Sequence, residues 1–486
     1  MILIIFATLS CVSAGESNLT LSNENKNVLN ANPGDFSTLA DEISNAETRS
    51  LNLTTDYQYD GQKDSQYRDG ITINVDDFII DGQGHTIDAN KQARIFKIQA
   101  KNVIIKNINL INGNATSHGG AIYWTGDNGS LINSTIKNSI SPNSGGAVLF
   151  KNTGSIMNSR FIGNTAYFGG GVCFDSDSKT VNCQFEDNFA TFLGGGLYTS
   201  QNANITDSTF TNNEAGDGGG IYLQYNGIIS NCSFQKNNAI GYGGAITGEN
   251  KVIVRDSEFL KNTAKYAGAI YFKGNGYVHD SNFTQNSAEV SGAVYATSDE
   301  LEIINSEFNH NIAPNGASLY ITAKSAKIEN TSFNNDQSSY QSEIYSTATP
   351  TLSNVSFNNI TKKEESKDND TMPENKTSPN TDNGKSNTVI VKKAAKKTRI
   401  YAKSKTFKLK KAKKYTITLK SGKTVLKKKK VTLKINGKTY TKKTNSKGKC
   451  VFKLKMKKKG KFKAVIRFKG DKSYKASKKT VKIKIK

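Results

Sequence analysis

One motif recurs every 24 or 25 residues through the middle of this 486-residue chain. Its marker is a phenylalanine, found at Phe161, Phe185, Phe210, Phe234, Phe259, Phe283, Phe308, Phe333 and Phe357. Leu110 and Ile136 hold the same place earlier, which makes eleven registers. A period of this length is typical of proteins that stack one structural unit per repeat, so it restricts the chain to a solenoid.

Each repeat places particular residue types around the phenylalanine. Asn or Asp stands three residues before it and a small residue stands two before it, as in Asn158 and Ser159. A second block follows, such as Gly194-Gly195-Gly196-Leu197. Because Gly and Asn tolerate left-handed backbone at corners, each unit is predicted to contain three short strands. Stacked units bury the apolar ladders and let Asn side chains bond along the stack, which predicts a parallel β-helix of eleven or twelve coils.

The cysteines favour packing over cross-linking. Cys183 and Cys232 occupy the small-residue position of two repeats that lie two registers apart. At about 4.8 Å per strand they are roughly 9.6 Å from each other, too far for a disulfide. Cys173 and Cys450 have no partner at metal-ligand spacing.

The ends of the β-helix differ from its middle. Residues 1–14 are apolar and end in small residues, which predicts a secretory signal peptide. Residues 15–70 are expected to form an N-terminal segment with a short amphipathic helix that caps the stack, and the β-helix is expected at 71–360. The 13 Asn-x-Ser/Thr sequons suit an exported protein, although an Asn-rich chain produces many by chance.

A sharp change in charge marks a second domain. Residues 391–486 hold 40 Lys and Arg against one acidic residue, a net charge of +39, whereas residues 1–390 sum to −14. Residues 361–390 are polar and predict a disordered linker. Beyond them apolar residues alternate with Lys, and Asn436-Gly437 predicts a hairpin. These patterns predict a small β-sandwich of the immunoglobulin-like type over 391–486.

Two resemblances come from these motifs. The paired Phe-x-x-Asn and Gly-Gly-Ala-Ile elements resemble the repeats of chlamydial polymorphic outer-membrane proteins and of adhesin-like surface proteins of methanogenic archaea. That resemblance implies a right-handed parallel β-helix displayed outside the cell. The segment 460–477 resembles the C-terminal half of bacterial and archaeal surface Ig-like domains. The fold class expected is therefore all-β: a right-handed parallel β-helix followed by a small Ig-like sandwich.

No residue pattern in the chain identifies an active site. The histidines His85, His118, His279 and His310 sit within repeat positions or turns. Asp81 with Asp88, and Asp175 with Asp177, are the carboxylate pairs weighed for glycosidase chemistry, which needs two acids at a set separation. Asp and Asn alternate freely at the corner position, as turn capping allows and catalysis does not. We therefore expect no catalytic residue, no metal, no cofactor and no enzymatic activity.

The leading hypothesis is an exported, adhesin-like protein at the cell surface or cell wall. Its basic domain would bind an anionic cell-wall polymer or envelope glycan, and its β-helix a host or neighbouring-cell glycan or protein. Lys outnumbers Arg 38 to 2 after residue 390, which argues against specific nucleic-acid binding. The candidate ligand-binding residues are aromatic: Tyr167, Phe168, Phe192, Tyr225, Tyr242 and Tyr266. Packing across a coil corner explains them equally well.

Two alternatives stay open. One is a secreted polysaccharide lyase or hydrolase, since such enzymes also use β-helices. The other is a purely structural envelope component.

Overall fold

The computed structural model describes residues 29, 32–334, 343–357, 398–409, 413–421, 424–436, 438–454, 456, 458–470, 474 and 476–486. The chain divides into two compact units, residues 1–366 and 367–486. The predicted signal peptide at 1–14 and linker at 361–390 lie outside the described residues.

The first unit is the parallel β-helix that the repeats predict. The coils build three long parallel sheets of 13, 13 and 12 strands, and six coils add a strand to a short fourth sheet. We name the sheets after their side chains. The isoleucine sheet has 13 strands: Ser50–Asn52, Ile79–Asp81, Ile104–Lys106, Gly129–Ile132, Gly154–Met157, Ser178–Val181, Ala203–Thr206, Gly227–Ser230, Val252–Arg255, Gly276–His279, Glu300–Ile304, Ser325–Glu329 and Thr351–Ser353.

The phenylalanine sheet carries the marker residue of each repeat. Its 13 strands are Tyr57–Gln58, Thr86–Asp88, Asn109–Ile111, Thr135–Lys137, Arg160–Ile162, Gln184–Glu186, Thr209–Thr211, Ser233–Gln235, Glu258–Leu260, Asn282–Thr284, Glu307–Asn309, Ser332–Asn334 and Ser356–Phe357.

The tyrosine sheet and the short corner sheet complete the coil. The tyrosine sheet has 12 strands: Ile71–Ile73, Phe96–Ile98, Ile122–Trp124, Val148–Phe150, Val172–Phe174, Leu197–Thr199, Ile221–Leu223, Ile246–Gly248, Ile270–Phe272, Val294–Ala296, Leu319–Ile321 and Ile344–Ser346. The corner sheet has six: Thr165–Phe168, Phe189–Leu193, Glu214–Ala215, Asn238–Ala239, Thr263–Ala264 and Ser287–Ala288.

Stacked phenylalanine rings form one wall of the core. From Phe161 to Phe357 consecutive rings lie 4.6–5.2 Å apart, with interplanar angles of 2–17°. The small residue two positions before the ring is also buried, including Cys183 and Cys232, which are free thiols. The packing role predicted for these two cysteines is confirmed.

Asn or Asp residues form the corners at the two ends of the strands in the phenylalanine sheet. The Asn or Asp three residues before each Phe has positive φ, for example 56° at Asp207 and Asn231. The Asn three residues after it is buried in seven coils and forms a ladder: Asn164, Asn188, Asn213, Asn237, Asn262, Asn286 and Asn311. In the ladder each Nδ2 donates to the next Asn Oδ1 at 2.9 Å. This hydrogen-bonding along the stack is as predicted.

A helix at Phe36–Ser44 stands before the first coil, where the sequence predicts a cap. Asp35 accepts from the Thr38 backbone N–H as its N-cap, and Phe36, Leu39 and Ile43 are buried in the same core as the coils. The stack begins before residue 71, because Ser50–Asn52 already pairs with Ile79–Asp81. The first coil was missed because it lacks the repeat's glycines. A short 3-10 helix follows at Ser65–Tyr67.

The second unit is a β-sandwich with its own core. One sheet contains Arg399–Tyr401, Lys413–Ser421, Thr424–Val425 and Lys449–Leu454, and the other contains Lys405–Phe407, Lys430–Ile435, Lys438–Lys443, Gly460–Phe468 and Ser477–Ile485. The predicted hairpin is present, with Ile435 opposite Lys438. Alternate residues such as Leu433, Ile466 and Ile483 are buried between the sheets.

Candidate functional site

Two surfaces stand out, one on each unit. The first, the lysine face, is the outer side of the five-stranded sheet of the sandwich. It consists of Lys434, Lys461, Lys463, Arg467, Lys478, Lys482 and Lys484, all exposed. Because strand residues alternate between core and solvent, the cations next to the buried Val, Ile and Leu residues face the solvent.

Cations face each other directly across the strands of the lysine face. Lys461 lies opposite Lys484, Lys463 opposite Lys482, and Arg467 opposite Lys478. Opposite residues in an antiparallel pair have Cβ atoms about 4.5–5.5 Å apart, where like charges destabilise the sheet. None of the described residues of this unit is acidic. The repulsion therefore has no internal counter-charge among them.

The second surface, the aromatic strip, runs along the β-helix beside the tyrosine sheet. It consists of Tyr167, Phe168, Phe192, Tyr198, Tyr242, Tyr266, Tyr271, Tyr295 and Tyr320, none of them fully buried. Two of its members, Tyr167 and Phe192, are 42% and 46% exposed.

Three of the sequence-predicted residues meet at one end of the strip. The Tyr167 ring stacks on Phe192 with centroids 5.5 Å apart, and it meets Phe168 edge-on at 4.7 Å. Phe168 also lies 5.4 Å from Tyr198 of the following coil. At this end of the strip, aromatic residues of the corner sheet and of the tyrosine sheet thus form one surface.

Two further predicted residues, Tyr242 and Tyr266, lie in a second group. Their ring centroids are 4.5 Å apart, and Tyr242 is equally close to Tyr271. Tyr271 continues the row to Tyr295 at 5.3 Å, and Tyr295 to Tyr320 at 5.0 Å.

The structure separates Tyr225 from the other candidates. It is 44% exposed but lies in the turn that leaves the tyrosine sheet, after Ile221–Leu223. Sequence reasoning missed Tyr198, Tyr271, Tyr295 and Tyr320. The available signal was a tyrosine one residue after the aliphatic residue of the Gly-Gly block, in the position that period-two alternation sends outward.

A polar cluster adjoins the strip at the N-terminal end of the tyrosine sheet. The His118 ring stacks near Tyr123 with centroids 5.8 Å apart, and the guanidinium carbon of Arg94 lies 5.5 Å from the centre of the Tyr123 ring. Lys151 Nζ donates to Asp175 at 2.8 Å, and this bond raises the pKa of Lys151. Burial lowers the pKa of His118, whose Nδ1 is buried without a hydrogen-bond partner.

Of the two carboxylate pairs that glycosidase chemistry could use, Asp81 and Asp88 bind the chain at corners, whereas Asp175 pairs with Lys151 and Asp177 accepts from Asn202. Asp81 Oδ1 accepts from the Gln83 backbone and from Asn107 Nδ2. Asp88 accepts in the same way from Asn90 and Asn112. Among the other histidines, His279 contacts Glu302 at 2.8 Å and His85 contacts Asp56 at 3.2 Å.

Across the part of the chain that the structure describes, no three His, Cys, Asp or Glu side chains lie close enough to bind a metal ion together. In the same part of the chain, the helices are too short and polar for any of them to span a bilayer.

One known family matches the chain, and the match lies within the repeats. Residues 207–224 match the Chlamydia polymorphic membrane protein repeat. The matched residues lie within the repeats of the β-helix. The match agrees with one of the two repeat resemblances that the motifs suggest. No curated protein matches the chain.

Two solved structures are similar to the chain. A PL6 alginate lyase bound to a trisaccharide aligns at a TM-score of 0.42 with 12% identity, covering 66% of this chain and 81% of the enzyme. A second alginate lyase, in complex with G6, aligns at 0.37 with 11% identity, covering 69% and 86%.

These neighbours contradict the expectation that the chain has no enzymatic activity, because both are enzymes. The expectation rested on the lack of a recognisable catalytic motif in the sequence, although a stack of coils can carry chemistry on its outer face without one. At such low identity the neighbours assign neither an activity nor a substrate to this chain.

Proposed function

We propose that this β-helix protein acts at a cell surface, where its sandwich binds an anionic polymer of the envelope through the lysine face. The observation that carries the proposal is the set of opposed cations, Lys461 with Lys484 and Lys463 with Lys482, without an acidic neighbour in the described unit. A bound polyanion would replace this repulsion with attraction. The exposed lysines favour charge attraction over bidentate recognition of one group.

On this proposal the β-helix contacts a glycan through the aromatic strip. Sugar rings have an apolar face that packs on aromatic side chains and a rim of hydroxyls that bonds to polar ones. Tyr167 and Phe192 leave such surface open, and polar residues flank the strip. The glycan would belong to a host or a neighbouring cell, which makes the protein adhesin-like.

The test uses the full chain and immobilised polygalacturonate over a salt series. The double variant Lys461→Glu/Lys463→Glu is expected to lose most of its binding, and salt is expected to weaken wild-type binding steeply. The matched control is Lys414→Glu/Lys453→Glu. It makes the same charge change on the other sheet, where Lys414 and Lys453 also lie opposite each other. Equal losses in both variants would contradict a specific lysine face.

A second candidate function is cleavage of a bound polysaccharide. The observation in its favour is the polar cluster, which places an imidazole near a phenol, with an ammonium–carboxylate pair at the same end of the tyrosine sheet. Groups of these types can move protons at a sugar. Incubation with alginate and polygalacturonate, followed by measurement of new chain ends, tests it. Product that forms with the wild type but not with His118→Ala or Tyr123→Phe would support it.

A further inference from the structure

Four tyrosines of the tyrosine sheet, three of them members of the aromatic strip, repeat in register with the coils. Tyr271, Tyr295, Tyr320 and Tyr345 hold the same position on four consecutive strands and pair directly with one another. Their ring centroids follow at 5.3, 5.0 and 4.4 Å. The row therefore offers one aromatic ring per coil, close to the strand spacing of about 4.8 Å.

A row of hydrogen-bonding side chains accompanies the rings. The residue that follows each strand of the tyrosine sheet is polar in five consecutive coils, at Ser200, Gln224, Glu249, Lys273 and Thr297. Phenol groups reach this row: Tyr222 Oη donates to Glu249 at 2.7 Å, and Tyr271 Oη lies 3.2 Å from Thr297 Oγ1. In this part of the stack each coil thus places a hydrogen-bonding group beside the aromatic row.

We infer that the ligand of the aromatic strip is an extended, linear polysaccharide that lies parallel to the β-helix axis with one sugar per coil. This inference rests on the proposed glycan contact of the strip. An extended chain of pyranose rings advances by nearly one strand spacing per sugar, and each ring has an apolar face and a hydroxyl edge. A compact, branched glycan would meet only one or two coils and would leave the rest of the row unused.

The tyrosine row is interrupted, and its uninterrupted block limits how many sugars can contact the row. Thr247 stands where a tyrosine is expected, and Tyr222 before it is only 8% exposed. The uninterrupted block therefore runs from Tyr271 to Tyr345. Affinity should rise with each added sugar up to the length of this block and gain less per sugar beyond it.

The experiment measures the affinity of the full chain for cello- and chito-oligosaccharides, from disaccharide to hexasaccharide, by titration calorimetry. Dissociation constants are expected to fall several-fold with each step from disaccharide to tetrasaccharide. Tyr295→Ala divides the block, so it should weaken tetrasaccharide binding many-fold and disaccharide binding little. Tyr225→Ala is the control, because Tyr225 is a tyrosine that is more exposed than Tyr295 but lies off the strip.

Each outcome bears on the inference. A rise in affinity with length that Tyr295→Ala removes and Tyr225→Ala preserves supports it. Equal affinity for short and long chains overturns it but leaves the glycan contact intact. No binding of any oligosaccharide by a chain whose circular dichroism shows it to be folded overturns both the inference and the proposed glycan contact.

Discussion

At the scale of single residues, the asparagine ladder shows how a polar group can hold a core. Asn213 Oδ1 accepts from both the backbone N–H and the Nδ2 of Asn188, and its own Nδ2 donates to Asn237 and to the Phe185 carbonyl. The residue is fully buried. All of these groups are out of reach of water, so each bond removed leaves an unpaired partner.

We expect Asn213→Ala to lower the free energy of unfolding of the β-helix by about 2 to 4 kcal/mol, because it leaves two Asn188 donors without an acceptor. Urea denaturation followed by circular dichroism measures the change. Asn204→Ala, at an exposed position of the isoleucine sheet, is the control and should change stability by less than about 0.5 kcal/mol. Equal effects would mean that the ladder contributes nothing particular.

The buried cysteines make a second prediction at this scale. Burial raises the pKa of Cys183 to about 11 and that of Cys232 to about 12. Thiolates are the reactive species, so both thiols should resist iodoacetamide at pH 8 in the folded protein and react after denaturation. Peptide mapping by mass spectrometry identifies the labelled residues. Rapid labelling of Cys232 under native conditions would be the contrary result.

The same shifts predict a pH dependence of stability. Both folded-state pKa values lie above the value of about 8.5 for a free thiol. The stability that the two protonated thiols contribute is therefore fully present below about pH 8.5 and is lost as the pH rises toward 11 and 12.

At the scale of the coil, two core positions share one space, so that a large residue at one position goes with a small residue at the other. Phe272 fills the end of one strand, and a Cβ added at Gly276 would come within 2.5 Å of its ring. One coil earlier the order is reversed, because Gly248 stands beside Val252 and a Cβ at Gly248 would lie 2.5 Å from the valine. Each of these two coils thus places one large and one small residue at this corner.

This pairing predicts strong coupling between the two positions. Gly276→Val should destabilise the β-helix by overpacking, and Phe272→Gly should destabilise it by leaving a cavity. The double variant copies the neighbouring coil, so it should recover about 1 to 3 kcal/mol relative to the sum of the single changes. Thermal denaturation of the three variants gives the coupling energy. Additive effects would show that the two residues do not share space.

On the sandwich, the lysine face predicts that one substitution can raise the stability of this unit while it weakens binding. Lys463→Glu replaces a like-charged pair with Lys482 by an ion pair, so it should raise the free energy of unfolding of this unit by about 0.2 to 1 kcal/mol. The same change should weaken binding to polygalacturonate. A variant that is less stable as well as a weaker binder would contradict the repulsion argument.

Sequence alone predicts the elements of this protein far better than its surfaces. The coil can be predicted because some of its residues have a backbone conformation or a packing that few other residue types allow. Examples are the Asn at positive φ and the stacked Phe. Tyr242 and Tyr266 could be chosen as exposed aromatic residues, but their contact with Tyr271 depends on which side of the coil each strand faces. The lysine pairs of the sandwich depend on antiparallel register, which composition does not specify.

At the scale of the whole molecule, the two units have separate hydrophobic cores with no residue in common. We expect two unfolding transitions in calorimetry. Gly276→Val should shift only one of them and Lys463→Glu only the other, and added salt should raise the midpoint of the sandwich by screening its lysines. A single transition shifted by both variants would mean that the units unfold together.

The periodic corners also bear on how such a gene can change. Asp207 and Asn231 both begin the same step of the coil with left-handed backbone, so a deletion of residues 207–230 would join two equivalent positions. Unequal recombination between repeats could therefore shorten or lengthen the protein by whole coils without creating a new junction to fold. The length of the β-helix could evolve in steps of about 4.8 Å, independently of the chemistry of the lysine face.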